Sequence, residues 1–182
     1  LSLVGSEMCI RDRALFERIH ADMNIDYMNI HIWPYNWGWA LADSLQEKVS
    51  DAQRQTKDYI DEHLAIARKY GKPMVLEEFG FPRDNFQFDR VSSTHARDTY
   101  YQYVFSLVSD TVAAYQLLAG CNFWAWGGLA NPRHTYWKKG DDYTGDPAQE
   151  QQGLNSVFAS DTTTIQVIKE AASRIYRIKS RR

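Results

Sequence analysis

Apolar positions along the chain keep two different rhythms. Three short runs are rich in β-branched and aromatic residues and end at Pro or Gly: Asp26 to Trp33 (DYMNIHIW), Lys72 to Phe79 (KPMVLEEF) and Cys121 to Trp126 (CNFWAW). Such runs read as strands. Between them, apolar residues recur at helical spacing. Leu15, Phe16 and Ile19 predict a short helix over Ala14 to His20. Ala52, Thr56, Tyr59, Ile60, His63, Leu64 and Ala67 predict a helix from an N-cap at Ser50 to Tyr70, stopped by Gly71. Tyr101, Val104, Val108, Thr111, Val112 and Tyr115 predict another from His95 to Ala119, with Gly120 ending it. Ile165, Ile168, Ala172, Ile175 and Ile178 place the last over Thr164 to Ile178.

Strands that alternate with long helices argue for an α/β protein built on a parallel sheet. Each strand is nearly all apolar, and its end carries the unusual residues. That favours a (β/α)8 barrel, whose active residues sit at the C-terminal strand ends. No glycine-rich nucleotide turn follows any strand, which weakens a dinucleotide fold. Three strands cannot close a barrel, and a whole one takes about 250 residues against 182 here. The expected fold is therefore a partial (β/α)8 TIM barrel, strands six to eight with their helices.

The start, Leu1 to Arg13 (LSLVGSEMCIRDR), fits neither rhythm. It has no initiator Met, no cationic start before an apolar core and no small-residue cleavage site, so it is not a secretory signal. It resembles translated sequencing-adapter read-through. Residues 1–13 are set apart as a non-native leader, and 14–182 are expected to form one C-terminal part of a barrel domain.

Composition narrows the classes of function. The chain is 44% hydrophobic and 14% aromatic, with a formal net charge of −2. That balance gives no reason to expect nucleic acid or an anionic membrane surface as partner, and no apolar run is long enough to span a bilayer. Cys9 and Cys121 offer neither a disulfide framework nor metal-ligand spacing. Asp141, Asp142 and Asp146 do not match a calcium loop and read as a solvated turn. Lys179 to Arg182 read as a solvated helix end.

The chemistry concentrates at Glu77 and Glu78, two carboxylates at the end of a buried strand that turns at Gly80 and Pro82. Strand alternation puts them on opposite faces, so only one is expected to point into the barrel. A pair of barrel carboxylates is what retaining glycoside hydrolysis needs.

Val75 to Gly80 (VLEEFG) resembles the nucleophile motif of glycoside hydrolase family 5, and more closely its endo-β-1,4-mannanase branch. His31 to Trp39 (HIWPYNWGW), Phe123 to Gly128 (FWAWGG) and Gly140 to Pro147 (GDDYTGDP) are similar to that family's segments, in its order. The resemblance covers Ala14 onward. It implies that Glu78 is the nucleophile and that Glu77 either faces the helices or supports it from behind. His31 matches a histidine that holds the nucleophile in place, while Trp33 stands where the family has a tyrosine and can donate a hydrogen bond but not accept one. The resemblance implies sugar contacts from Trp33, Trp124, Trp126, Tyr35 and Trp37, with Trp124 nearest the cleaved bond. Ordinary packing is the competing reading for each of these rings. The loop rings Trp39 and Trp137 stand between outer-subsite and loop-packing roles.

The family's acid/base glutamate lies in an Asn-Glu motif, and this chain contains no Asn-Glu dipeptide. The strand-one arginine motif is absent as well. The resemblance thus implies a mannan endo-1,4-β-mannosidase present without its acid/base half, with little or no activity as this polypeptide alone. It implies no metal or organic cofactor, a β-mannan or manno-oligosaccharide substrate, a monomer when complete, and a secreted or periplasmic location. A β-1,4-glucanase on the same fold and a non-catalytic carbohydrate-binding scaffold are the alternatives.

Overall fold

The computed structural model describes residues 13–114 and 117–180. Strands β1 (Met28–Ile32), β2 (Met74–Phe79) and β3 (Leu118–Phe123) lie side by side, parallel and in chain order. Helix α1 (Arg13–His20) precedes them, α2 (Leu45–Tyr70) joins β1 to β2, and α3 (His95–Ala113) joins β2 to β3. Two short strands, β4 (Trp126–Gly128) and β5 (Val157–Phe158), form a separate parallel pair ahead of helix α4 (Thr162–Lys179). A parallel sheet whose order never reverses, with a helix at each crossover, is an arc of a singly wound barrel. A doubly wound sheet would reverse.

One face of the sheet supplies the core. Met28, Ile30, Ile32, Met74, Leu76, Phe79 and Leu118 are buried there. Phe79 meets Tyr101 and Phe105 of α3 edge-on, with ring centroids 4.9 and 5.5 Å apart. The other face carries Asn29, His31, Val75, Glu77 and Asn122, exposed or half-buried. Polarity therefore sorts across the sheet, and everything reactive lies on the open side.

Element boundaries depart from the periodicity in three places. Helix α2 starts at Leu45, not after Ser50. Leu45 is buried and Val49 packs on the core, but the polar Gln46-Glu47-Lys48 between them hides the helical spacing. Its end is as expected: Gly71 takes a left-handed φ of 64°. The Lys72 amide donates to the Ala67 carbonyl and the Gly71 amide to that of Arg68, a Schellman closure. Helix α3 ends at Ala113, six residues before Ala119. The Leu117 carbonyl accepts from the Met74 amide at 2.7 Å, so strand pairing takes the residues that helical spacing had claimed. Tyr115, expected on that helix, lies outside the described residues, as do residues 1–12, Arg181 and Arg182. Arg13, expected to end the leader, begins α1.

The third departure is the run Cys121 to Trp126. It is not one strand. β3 stops at Phe123, the Trp124–Ala125 peptide is cis, and Trp126 joins the other sheet. Trp124 and Trp126 consequently do not share a strand face.

The segment between β4 and β5 is held down by buried charge. Asp146, expected in a solvated turn, is buried and accepts from the amides of Gly153 and Asn155 at 2.8 Å and from the Ser156 hydroxyl. Arg97 of α3, wholly buried, donates to the carbonyls of Phe81, Ser156 and Leu154 at 2.7, 2.9 and 3.0 Å. Buried Asp161 pairs with Arg83 at 2.5 Å and lies 3.7 Å from Arg97. Together these tie the end of β2, the start of α3 and the approach to α4 into one unit.

Candidate active site

The site begins with an irregularity in β2. Ile30 pairs with Leu76, yet His31 pairs with Glu78, so β2 spends one extra residue, Glu77. The other neighbour agrees, since Leu76 pairs with Cys121 and Phe79 with Phe123. This is a bulge, a device that re-aims side chains beside functional sites. It overturns strict alternation at this point. Glu77 and Glu78 do not divide between the two faces; both reach the same imidazole.

His31 lies between them, with Nδ1 3.1 Å from Glu78 Oε2 and Nε2 3.6 Å from Glu77 Oε2. All three side chains are about 30% exposed. The Glu78 carboxylate foremost, and Glu77 behind it, hold His31 protonated above the usual histidine range against the opposing effect of burial. Glu77 accepts from the Asn29 amide at 2.7 Å and from the Tyr27 hydroxyl at 3.0 Å. The Asn29 bond above all, with Tyr27 and His31 adding, keeps its carboxyl below the usual range. In return, Glu77 pushes the Tyr27 phenol upward.

Two indole rings stand at the same strand ends. Trp33 follows β1 and meets Trp124, after β3, edge-on at 6.3 Å between centroids. A Cβ on Gly80 would fall 2.8 Å from Trp33 Cζ3, so the missing side chain at 80 is what lets Trp33 settle over the end of β2. The Trp124 backbone amide donates to the Phe79 carbonyl at 2.8 Å, tying the main chain there to the end of β2. Trp126 is 57% exposed and offers an open face. Tyr35 is half-buried against Phe86, centroids 4.6 Å apart.

Trp37 does not join them. It is 8% exposed and packs between Trp39 and Tyr59 of α2 at 4.8 and 5.3 Å. No face is left for a sugar, so its ring serves the core. Trp137 stacks on Tyr143 at 5.3 Å and 13°, and the Tyr143 ring is largely exposed. Among the described residues no His, Cys, Asp or Glu group has metal-site geometry, and no helix is long and apolar enough to cross a membrane.

Sequence reasoning missed Tyr27, Asn29 and His20. The buried His20 ring places Nε2 3.0 Å from Asn29 Oδ1. One signal was available: Asn29 precedes His31 by two residues and so shares its strand face.

Two carboxylates and an imidazole thus meet at the C-terminal ends of adjacent parallel strands, the end of a barrel at which active residues sit. Residues 2–180 match the family described as "GH family 5 beta-mannosidase-like", and the chain belongs to glycoside hydrolase family 5. Two solved structures of a family 5 mannosidase from Rhizomucor miehei superpose on it. One has a TM-score of 0.86 at 29% identity and covers 94% of this chain. The other, a variant in complex with mannosyl-fructose, has a TM-score of 0.85 at 29% identity and covers 93%. This chain spans 42% of the length of each. An endo-1,4-β-D-mannanase from Thermotoga petrophila shares the fold, with a TM-score of 0.59 at 22% identity, covering 87% of this chain and 36% of its own. No curated protein matches the sequence significantly.

Proposed function

We propose that this chain supplies the nucleophile half of a retaining hydrolase of β-mannosides, with Glu78 as nucleophile. The observation that carries the reading is Glu78 at the end of β2, facing His31 across 3.1 Å, in a chain 29% identical to a family 5 mannosidase. Glu78 attacks the anomeric carbon, a carboxylic acid protonates the departing oxygen, and water then resolves the glycosyl-enzyme. Glu77 is unsuited to the acid's part. A general acid needs a raised pKa, whereas Asn29 and Tyr27 lower that of Glu77. It also contacts the same imidazole as Glu78, while the acid must stand across the scissile bond. In this reading the acid is a residue of the strands that complete the barrel, where the family resemblance puts its Asn-Glu motif.

Two modes of cleavage are supported by different observations. The sequence motifs favour an endo-mannanase. The family description and the mannosyl-fructose complex of the Rhizomucor miehei mannosidase favour release of single mannosyl units. The test uses a barrel completed by its own upstream coding sequence, supplied with mannan, manno-oligosaccharides and cello-oligosaccharides. Hydrolysis of mannosides with retained anomeric configuration, lost in Glu78→Ala while binding persists, is the expected result. Mannose as the first product assigns the exo mode; mixed oligosaccharides assign the endo mode. Cleavage of cello-oligosaccharides alone would move the enzyme to the glucanases. Sugar binding without cleavage by the completed wild type would overturn catalysis altogether.

A further inference from the structure

We propose that Glu77 is a positioning residue for this reaction. It clamps the Nε2 edge of His31 so that Nδ1 is held against Glu78, and a hydrogen-bonded chain running back to α1 holds it in turn. The inference rests on Glu78 being the nucleophile.

The bulge provides the means. In a regular strand, the residue before Glu78 would point into the helices. Here the extra residue leaves Phe79 in the core and brings a second carboxylate onto the open face. The bland alternative is a strand-end glutamate at the surface, free to turn. Its surroundings argue otherwise. The Asn29 amide and the Tyr27 hydroxyl both donate to Glu77, one to each oxygen, which fixes the plane of the carboxylate. Asn29 is itself held through its carbonyl oxygen by His20 Nε2 at 3.0 Å, and His20 Nδ1 lies 2.9 Å from the Phe16 carbonyl. Helix α1 is anchored from the other side, where Glu17 accepts from Lys69 and Tyr70 at the end of α2.

One carboxylate fixes one nitrogen of an imidazole and leaves the ring free to rock. Two carboxylates, one at each nitrogen, fix its plane. Both contacts are attractive only when both nitrogens carry hydrogen, because a neutral imidazole has a single N–H. The clamp therefore couples the protonation of His31 to its orientation. The titratable groups that face His31 are Glu77 and Glu78 on β2. Tyr27 and His20 reach it only through Glu77.

The test has two readouts. In the 182-residue chain, the His31 imidazole is followed by proton–nitrogen NMR across pH, its signals assigned by their loss in His31→Gln. Glu77→Gln keeps the shape and removes the charge, and is expected to lower the His31 midpoint. Asn29→Ala, which touches Glu77 but not His31, is expected to lower it less. An unchanged midpoint in Glu77→Gln would overturn the clamp. In the completed barrel, Glu77→Gln is expected to lower kcat by roughly tenfold to a hundredfold with KM nearly constant, to displace the pH profile, and to be partly rescued by Glu77→Asp. An active wild type with unaltered Glu77→Gln kinetics overturns positioning and leaves the glycosidase reading standing. A shifted His31 midpoint beside a completed wild type that cleaves no glycoside at all keeps the clamp and overturns the glycosidase reading.

Discussion

His31 and Glu77 give the site a pH window whose two limbs have separate causes. The folded pKa of His31 is raised, so its contribution to stability is complete below the ordinary histidine value of 6.5 and fades as pH rises through the folded value. The folded pKa of Glu77 is lowered, so its contribution is complete above the ordinary value of 4.5 and fades as pH falls through the folded value. Unfolding midpoints recorded across pH are expected to decline less on the alkaline side in Glu78→Gln than in the wild type, because Glu78 is the larger cause of the His31 shift. Gly80 makes a steric claim in place of an electrostatic one. A methyl there meets Trp33 and Asn155 at 2.8 Å, and an indole held against Trp124 has little room to yield. Gly80→Ala is expected to cost about 1–3 kcal/mol and to change the tryptophan signal in near-ultraviolet circular dichroism. A folded variant with wild-type stability and spectrum would refute that.

At the scale of elements, the structure rests on polar groups that join strand ends to helix starts. Asp84, after β2, accepts from the His95 and Ala96 amides at 2.9 and 2.8 Å and so caps α3 from eleven residues upstream. Asp161 precedes α4, answers two buried guanidinium groups and also accepts from the Phe158 amide at 2.8 Å. Removing one partner from a buried ion pair leaves the other charge uncompensated. Asp161→Ala is therefore expected to lose about 3–5 kcal/mol, read as a fall in Tm of roughly 6–20 °C. These joints were the least legible part of the sequence. The strands were readable because apolar runs ending at Gly or Pro have few other interpretations. Their exact ends were not, since Leu117 and Leu118 suit a helix as well as a strand until β2 offers a pairing partner. That Glu78 and His31 stand together at neighbouring strand ends was legible from motif and order. That Glu77 reaches the same imidazole was not, because a bulge is a relation between three strands and leaves no mark in any one of them. Trp37 was misplaced for a similar reason: an indole in a loop looks the same whether α2 covers it or leaves it open.

At the scale of the whole molecule, the sheet is an arc with β2 inside it and β1 and β3 at its rims. Backbone amides of β2 have partners on both flanks, while among the described residues β3 pairs with β2 alone. Hydrogen exchange is accordingly expected to be slowest in β2 and faster in β3, and equal protection would argue that something covers the rim. Beside β3, a groove runs between Ala119 to Phe123 and the α4 residues Ile168, Ala172 and Ile175. Burial there pushes the Cys121 thiol up to about 12, so it stays protonated and behaves as a small apolar group. A rim of unpaired parallel backbone next to an apolar trough is a template for another strand. On the proposed function, the strands that complete the barrel, supplied in trans, would make an enzyme of two chains. Its activity would then rise with the concentration of each half and fall on dilution, as mass action requires, although every catalytic distance within this chain stayed the same.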